Sequence, residues 1–324
     1  MNRLFAGTIA TLSIVASSLG SAFSAEYPNR SIRIVVTFPA GGAVDLLARI
    51  IAERISTSLG QPIIVDARPG ASGVIASDLV AKANPDGYTI LAAAVSHVIN
   101  PFVYDKLPYD TERDFAPIAL TVVSPNVVAI HPSLPVNSVK ELIALAKEKP
   151  GQINYASSGV GSNAHLSAEM LIAMAKIKMV HIPYKGGPQA LTDTVSGAAQ
   201  VIMQSLPVTK PFLDSKRLKA IAVTSAQRSS LLPGVPAVAE MLPGYESTAW
   251  YGFLARSGTP KAIIDRLSDE IGKALKRPDL VAALLTQSAD PTYMNPVEFD
   301  TFIKAEFARW GKATKDAGLK PGNL

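Results

Sequence analysis

The sequence predicts an α/β protein of two doubly wound lobes sharing a cleft, and three features predict it. Short runs rich in Val and Ile alternate with segments of helical periodicity, the pattern of βα units laid around mostly parallel sheets. The chain leaves one such unit near Ser124 and returns to it near Tyr245, so residues 25–123 and 246–324 form one lobe and residues 124–245 the other. Each lobe carries a glycine-bearing turn between strand and helix, FPAGGAVD at Phe38–Asp45 and SSGVGSNAHL at Ser157–Leu166. The two crossings between lobes make a double hinge.

Ser31–Phe38 (SIRIVVTF) opens the first lobe as a strand. Val44, Leu47, Ala48, Ile51 and Ile55 follow at the spacing of one helical face, and Gly60 stops that helix. Pro62–Asp66 is the second strand, Gly73–Ala83 the second helix and Tyr88–Val95 the third strand. Asn100–Asp114, rich in proline, tyrosine and charge, breaks the rhythm and reads as a surface excursion. Two strands, near Ala116–Val123 and Val127–His131, lead to a helix over Ser138–Lys149, with Ser138 as N-cap and Glu141 completing a capping box. Next come strand Ile153–Ala156, a helix from Asn163, strand Met179–Pro183, helix Pro188–Ser196 and strands Gln200–Gln204 and Leu218–Thr224. LLPGVPAVAEMLPG then passes to an aromatic strand, STAWYGFLA. Two C-terminal helices follow, one marked by Ile263, Ile264, Leu267, Ile271 and Leu275, the other by Phe299, Phe302, Ile303, Phe307 and Trp310. No internal repeat and no low-complexity tract is visible.

Composition narrows the function. With 324 residues, 48% apolar and 18% charged, the chain can bury a large core and does not read as disordered. Asn2 and Arg3 precede the apolar run LFAGTIATLSIVASSLG, and small residues follow, so residues 1–24 read as a secretory signal peptide cleaved after Ser24, with Ala25 as second choice. A membrane anchor is the weaker alternative, because the run is short and diluted by Ser, Thr and Gly. The mature chain is therefore expected in the periplasm, without insertion in the membrane. It has no cysteine and hence no disulfide. Losing Arg3 with the leader leaves 30 − 26 = +4 from the 31 basic and 26 acidic residues, spread along the chain, and no basic block points to nucleic acid.

The two glycine turns carry the chemistry. Glycine lets the backbone turn sharply and aim several N–H groups at one spot, where the helix start adds partial positive charge, so both turns should prefer an anion. GVGSNA also matches the G-x-G-x-x-A dinucleotide fingerprint, but that motif needs an acid about 20 residues on to hold the ribose, and the sequence there is HIPYKGG. No Gly-Lys-Ser/Thr follows either turn, and no G-x-S-x-G exposes a nucleophile. His97, His131, His165 and His181 lack metal-ligand spacing. His165, in the first turn of its helix, either orients the loop or faces the cleft, and orientation is favoured. Asp45 reads equally as a first-turn acid paired with Arg49 and as a tie for the glycine turn. Lys185 reads as a solvated side chain beside its turn, and Trp250 and Tyr251 as core rather than pocket wall.

Taken in order, YPNRSIRIVVTFPAGGAVDLLAR, VDARPGASGVIAS, SSGVGSNAHLSAEM, HIPYKGGPQALTDTVSG and STAWYGFLARSGTP resemble the Bug family of extracytoplasmic solute receptors, the binding proteins of tripartite tricarboxylate transporters. The resemblance spans essentially the whole mature chain. It implies a type II periplasmic-binding-protein fold that closes on one small ligand. It also implies no enzymatic activity and no cofactor, a carboxylate ligand, permease subunits as partners, and a monomer. Carried over by motif, the ligand-binding positions are Ala40, Gly41, Gly42 and Asp45 on one lobe, and Ser157, Ser158, Gly159, Gly161, Ser162 and His165 on the other. Ser96 and the YKGG glycines Gly186 and Gly187 join them at the rim. Two departures from the family pattern add Ser72, a hydroxyl near the pocket mouth, and Gln204, where many relatives resemble an acid. A neutral amide at Gln204 favours a plain carboxylate over an amino acid.

Overall fold

The computed structural model describes residues 27–319 and 321. The leader expected at residues 1–24 lies outside them. No helix among the described residues is long and apolar enough to cross a membrane.

Strand β1 (Ile32–Val36) pairs in parallel with β2 (Ile63–Ala67) and β3 (Thr89–Ala94). Between them run α1 (Ala43–Leu59) and α2 (Val74–Ala81), and α3 (Ser96–Val103) follows β3. Helix α1 forms because Val44, Leu47, Ala48, Ile51 and Ile55 fall on one buried face, and it ends where Gly60 turns left-handed at φ 65°. Helix α3 corrects the expected excursion over Asn100–Asp114: its last turn, Asn100–Val103, is helical with Pro101 inside it, and Asn100 and Val103 are buried.

A single strand, β4 (Phe115–Ile130), replaces the two expected on either side of Ser124. Pro125 has no N–H to lose, and it stays extended opposite Thr248, so the strand runs through it. Its first part pairs with β9 (Thr248–Arg256) on one side and β10 (Asp290–Met294) on the other. From Asn126 onward the partners are β7 (Val201–Ser205) and β8 (Lys219–Val223). Parallel strands β5 (Asn154–Ser157) and β6 (Val180–Pro183) complete the order β2-β1-β3-β9-β4-β7-β5-β6.

Helices α4 (Val139–Glu148), α5 (Asn163–Ala175), α6 (Gly187–Ser196) and α7 (Leu206–Asp214) flank the second part of the sheet. Ser138 caps Glu141 N–H at 3.1 Å as expected, whereas the Glu141 carboxylate reaches the amide of Asn137 at 2.7 Å instead of that of Ser138. The C-terminal region holds α8 (Lys261–Ala274), α9 (Pro278–Thr286) and α10 (Pro296–Asp316), three helices where two were expected. Phe299 and Trp310 of α10 are fully buried, and Phe299 meets Trp250 edge-on at 5.6 Å.

Candidate ligand-binding site

Strands β1, β3, β5, β6 and β7 all end at one crevice, the place where open α/β sheets offer helix starts to a ligand. Ala43 and Val44 of α1, Ser96 of α3, Asn163 and Ala164 of α5 and Gly187 of α6 line it. The crevice has a cavity volume of about 60 Å3. Among the described residues no charged side chain lines it. Its polarity comes from backbone amides, from the hydroxyls of Ser158 and Ser162, and from the carboxamides of Asn126 and Gln204.

The helix starts leave donors available. Among the described residues nothing accepts from the amides of Ala43, Val44 and Asp45 in α1, of Asn163 and Ala164 in α5, or of Gly187 and Gln189 in α6. Three helices thus point unsatisfied N–H groups and the positive ends of their dipoles towards one uncharged crevice. That arrangement suits an anion.

The two turns are built alike. Gly41 at φ 77° and Gly161 at φ 76° supply the left-handed residue of each, a conformation that side chains resist. Gly42 N–H donates to Pro39 O at 3.0 Å and Ser162 N–H to Gly159 O at 3.1 Å, closing both turns. Gly41 N–H then donates to Asp45 Oδ2 at 3.0 Å, and Gly161 N–H to His165 Nδ1 at 3.3 Å. Asp45 also pairs with Arg49 at 2.8 Å, so both roles considered for it coexist.

His165 orients its turn as a neutral ring, since Nδ1 accepts and the ring proton sits on Nε2. It stacks on His181 at 4.1 Å, and His181 Nε2 meets Ser157 Oγ at 2.7 Å. Burial, and then the neighbouring His181, push His165 down to about 3, and burial pushes His181 down to about 4. Beside them burial, and then Glu169, hold the Tyr155 hydroxyl well above the usual phenol range.

Of the sequence-predicted residues, Gly42, Ser96, Ser158, Ser162, Gly187 and Gln204 line the crevice. Ser72 and Gly159 line an adjoining outer chamber together with Ser158. Ala40, Gly41, Asp45, Ser157, Gly161, His165 and Gly186 line neither cavity, and Gly41 and Gly161 spend their amides on Asp45 and His165. Ser158 Oγ donates to Gln204 Oε1 at 2.9 Å. A Cβ at Gly187 would sit 2.2 Å from Gln204 Nε2, so a side chain there would push the Gln204 carboxamide from its place. Tyr251 lines the crevice, whereas Trp250 is core.

Sequence reasoning missed Asn126 and the site role of Asn163. Asn126 Nδ2 donates to Asn163 Oδ1 at 2.6 Å and to Ser167 Oγ at 3.0 Å. Asn163 Oδ1 also accepts from Ser247 Oγ at 3.1 Å, and Asn163 Nδ2 reaches Thr248 O at 3.3 Å. The start of α5 is thereby wired to both places where the chain passes between the halves of the sheet.

No group of three or more His, Cys, Asp or Glu able to hold a metal occurs among the described residues. The family profile described as tripartite tricarboxylate transporter family receptor matches residues 47–319. The chain belongs to this family. Among relatives of this receptor, a UPF0065 protein in the tcbD-tcbE intergenic region of Pseudomonas sp. (strain P51) is 38% identical over 312 residues, covering 96% of this chain and 92% of the relative. Protein BugT of Bordetella pertussis (strain Tohama I) is 33% identical, covering 99% of each chain. The solved structure of R. palustris Rpa4515 with adipate superposes with a TM-score of 0.88 at 36% identity, over 91% of this chain and 99% of that one. MatC from Rhodopseudomonas palustris with bound malate gives 0.82 at 28% identity, over 89% and 99%. The receptor has the type II periplasmic-binding-protein fold with a mixed, curled sheet, and it is a periplasmic solute-binding protein rather than an enzyme.

Proposed function

We propose that the receptor captures a small organic carboxylate in this crevice and presents it to a membrane permease. Residues 25–123 with 246–324, and residues 124–245, act as lobes that close on the ligand, with the receptor working as a monomer. The observation that carries the reading is a crevice without charged side chains among the described residues, onto which the starts of α1, α5 and α6 bring the unsatisfied amides of five lining residues, Ala43, Val44, Asn163, Ala164 and Gly187.

A carboxylate held this way meets donors fixed before it arrives, so little is lost to reorganisation on binding. Hydrogen bonds to a charged group contribute ~1.5–3 kcal/mol each, and three or four of them, less the ordering of ligand and lobes, support micromolar binding near ~ −8 kcal/mol. Relatives solved with adipate and with malate are both bound to dicarboxylates, which supports this class of ligand. Among the described residues no acidic side chain lines the crevice or the outer chamber, so a ligand ammonium would find no carboxylate partner there and a plain acid is favoured over an amino acid.

A thermal-shift screen tests the reading. Di- and tricarboxylates or aromatic carboxylates should raise the melting temperature of the purified receptor, by about 2.7 kcal/mol of added stability at a hundredfold excess over Kd. A rise with a neutral sugar or a cation, and none with any carboxylate, overturns it.

A further inference from the structure

A larger cavity adjoins the crevice. This outer chamber has a volume of about 620 Å3, against about 60 Å3 for the crevice, and Phe38 and Ser158 line both. A carboxylate seated on the helix starts occupies the inner space, and the chamber that adjoins it at Phe38 and Ser158 offers room for a longer remainder.

The chamber differs from the crevice in charge. Lys185 is the one charged side chain lining either cavity, and no ion pair engages it among the described residues. Its backbone is clamped. Tyr184 N–H donates to Ser157 O at 3.1 Å, and at Gly186 a Cβ would sit 2.6 Å from Pro39 Cγ in the opposite half. Across the chamber, Ser72 Oγ donates to the carbonyl of Val160, which joins the two walls. The lysine stem thus starts from a fixed point on a chamber whose other lining groups are uncharged.

We infer that the outer chamber is a second subsite of this receptor, in which Lys185 selects elongated acids carrying a negative charge at the far end over monocarboxylates of equal length. The inference rests on the carboxylate reading of the inner crevice. Lys185 is solvent-exposed, so its pull on a distal carboxylate is that of a surface ion pair, about three- to tenfold in affinity, and it weakens with salt.

Calorimetry on the full mature receptor tests this with a ladder of α,ω-diacids from succinate to suberate, each set against the monocarboxylate of the same length. The wild-type receptor should favour the diacid once the chain is long enough to reach the chamber. Lys185→Gln should weaken that diacid about three- to tenfold and shift the monocarboxylate by less than about twofold, while Lys185→Arg keeps the preference. Raising the salt should erode the wild-type preference and leave the Gln variant unchanged. An unchanged diacid-to-monoacid ratio in Lys185→Gln overturns the subsite and leaves the inner crevice standing. If no acid of either series binds the wild-type receptor, the subsite is overturned, and the carboxylate reading is decided by the wider thermal-shift screen.

Discussion

The turns Pro39–Leu46 and Gly159–Leu166 reach one backbone solution from different residues. In both, a glycine takes the left-handed position, the third helical residue reaches back to that glycine's amide, and the first intrahelical bond closes at 2.9 Å from Leu46 to Gly42 and at 3.0 Å from Leu166 to Ser162. The chemistry of the tie differs. Asp45 is a carboxylate paired with Arg49, while His165 is a neutral imidazole stacked on another. The surroundings differ as well: a Cβ on Gly41 would meet nothing within 4 Å, whereas one on Gly161 would lie 2.8 Å from Val103 Cγ2 of the opposite half. The first turn is a local structure, and the second is built into the junction of the two halves.

Placing Ala at each glycine gives the widest separation. Gly41→Ala incurs only the left-handed strain, about 1–2 kcal/mol. Gly161→Ala adds a methyl against the buried Val103, bringing the loss to about 2–4 kcal/mol. Urea unfolding of the two variants measures the difference, and equal losses would mean that the second turn is no more constrained than the first.

The next contrast lies at the first helical residue. Ala43 makes no side-chain hydrogen bond, whereas Asn163 holds Asn126, Ser167, Ser247 and Thr248 together in a buried network. Asn163→Ala should destabilise by about 1–3 kcal/mol, because it leaves the amide of Asn126 and the hydroxyl of Ser247 short of partners. Ala43→Gly loses no more than about 1 kcal/mol of helix propensity. Denaturation midpoints check both, and a neutral Asn163→Ala would show that the junction does not depend on the second turn.

Why one half of this comparison was legible in the sequence and the other was not follows from distance along the chain. Glycine, helix start and the i+4 tie from Gly41 to Asp45 are local, as is the buried stripe from Val44 to Ile55, so pattern and spacing expose them. Asn126 and Ser247 lie far apart in sequence and meet only because β4 and the segment entering β9 cross side by side, which no local pattern encodes. The same reason hid the continuity of β4, since Ser124–Pro125 looks like a break until β9 is laid beside it. Helix α7 was masked by Pro207 near its start and Pro211 within it, and β10 by Pro291 and an irregular register. Gln204 was visible as a departure from a family pattern, but its bond to Ser158 and its close approach to Gly187 were not.

The smallest effect separates the two ties by pH. In the unfolded chain the His165 ring takes a proton near its ordinary value of about 6.5, whereas in the fold it does so only at about 3. Between these values the unfolded state binds more protons, so the stability held by the neutral ring is complete above about pH 6.5 and drains as pH falls through that window. His97 and His181, each pushed down to about 4 by burial, act in the same direction. His165→Gln keeps an oxygen that can accept from Gly161 N–H and removes the titration. It should therefore flatten the fall of unfolding free energy between about pH 6.5 and about pH 4.5, by at most one proton's worth, ~1.4 kcal/mol per pH unit. Unfolding midpoints taken across the window decide it: an undiminished slope in His165→Gln would mean that His165 is protonated inside the fold, with its bond from Gly161 broken, well before the acid end is reached.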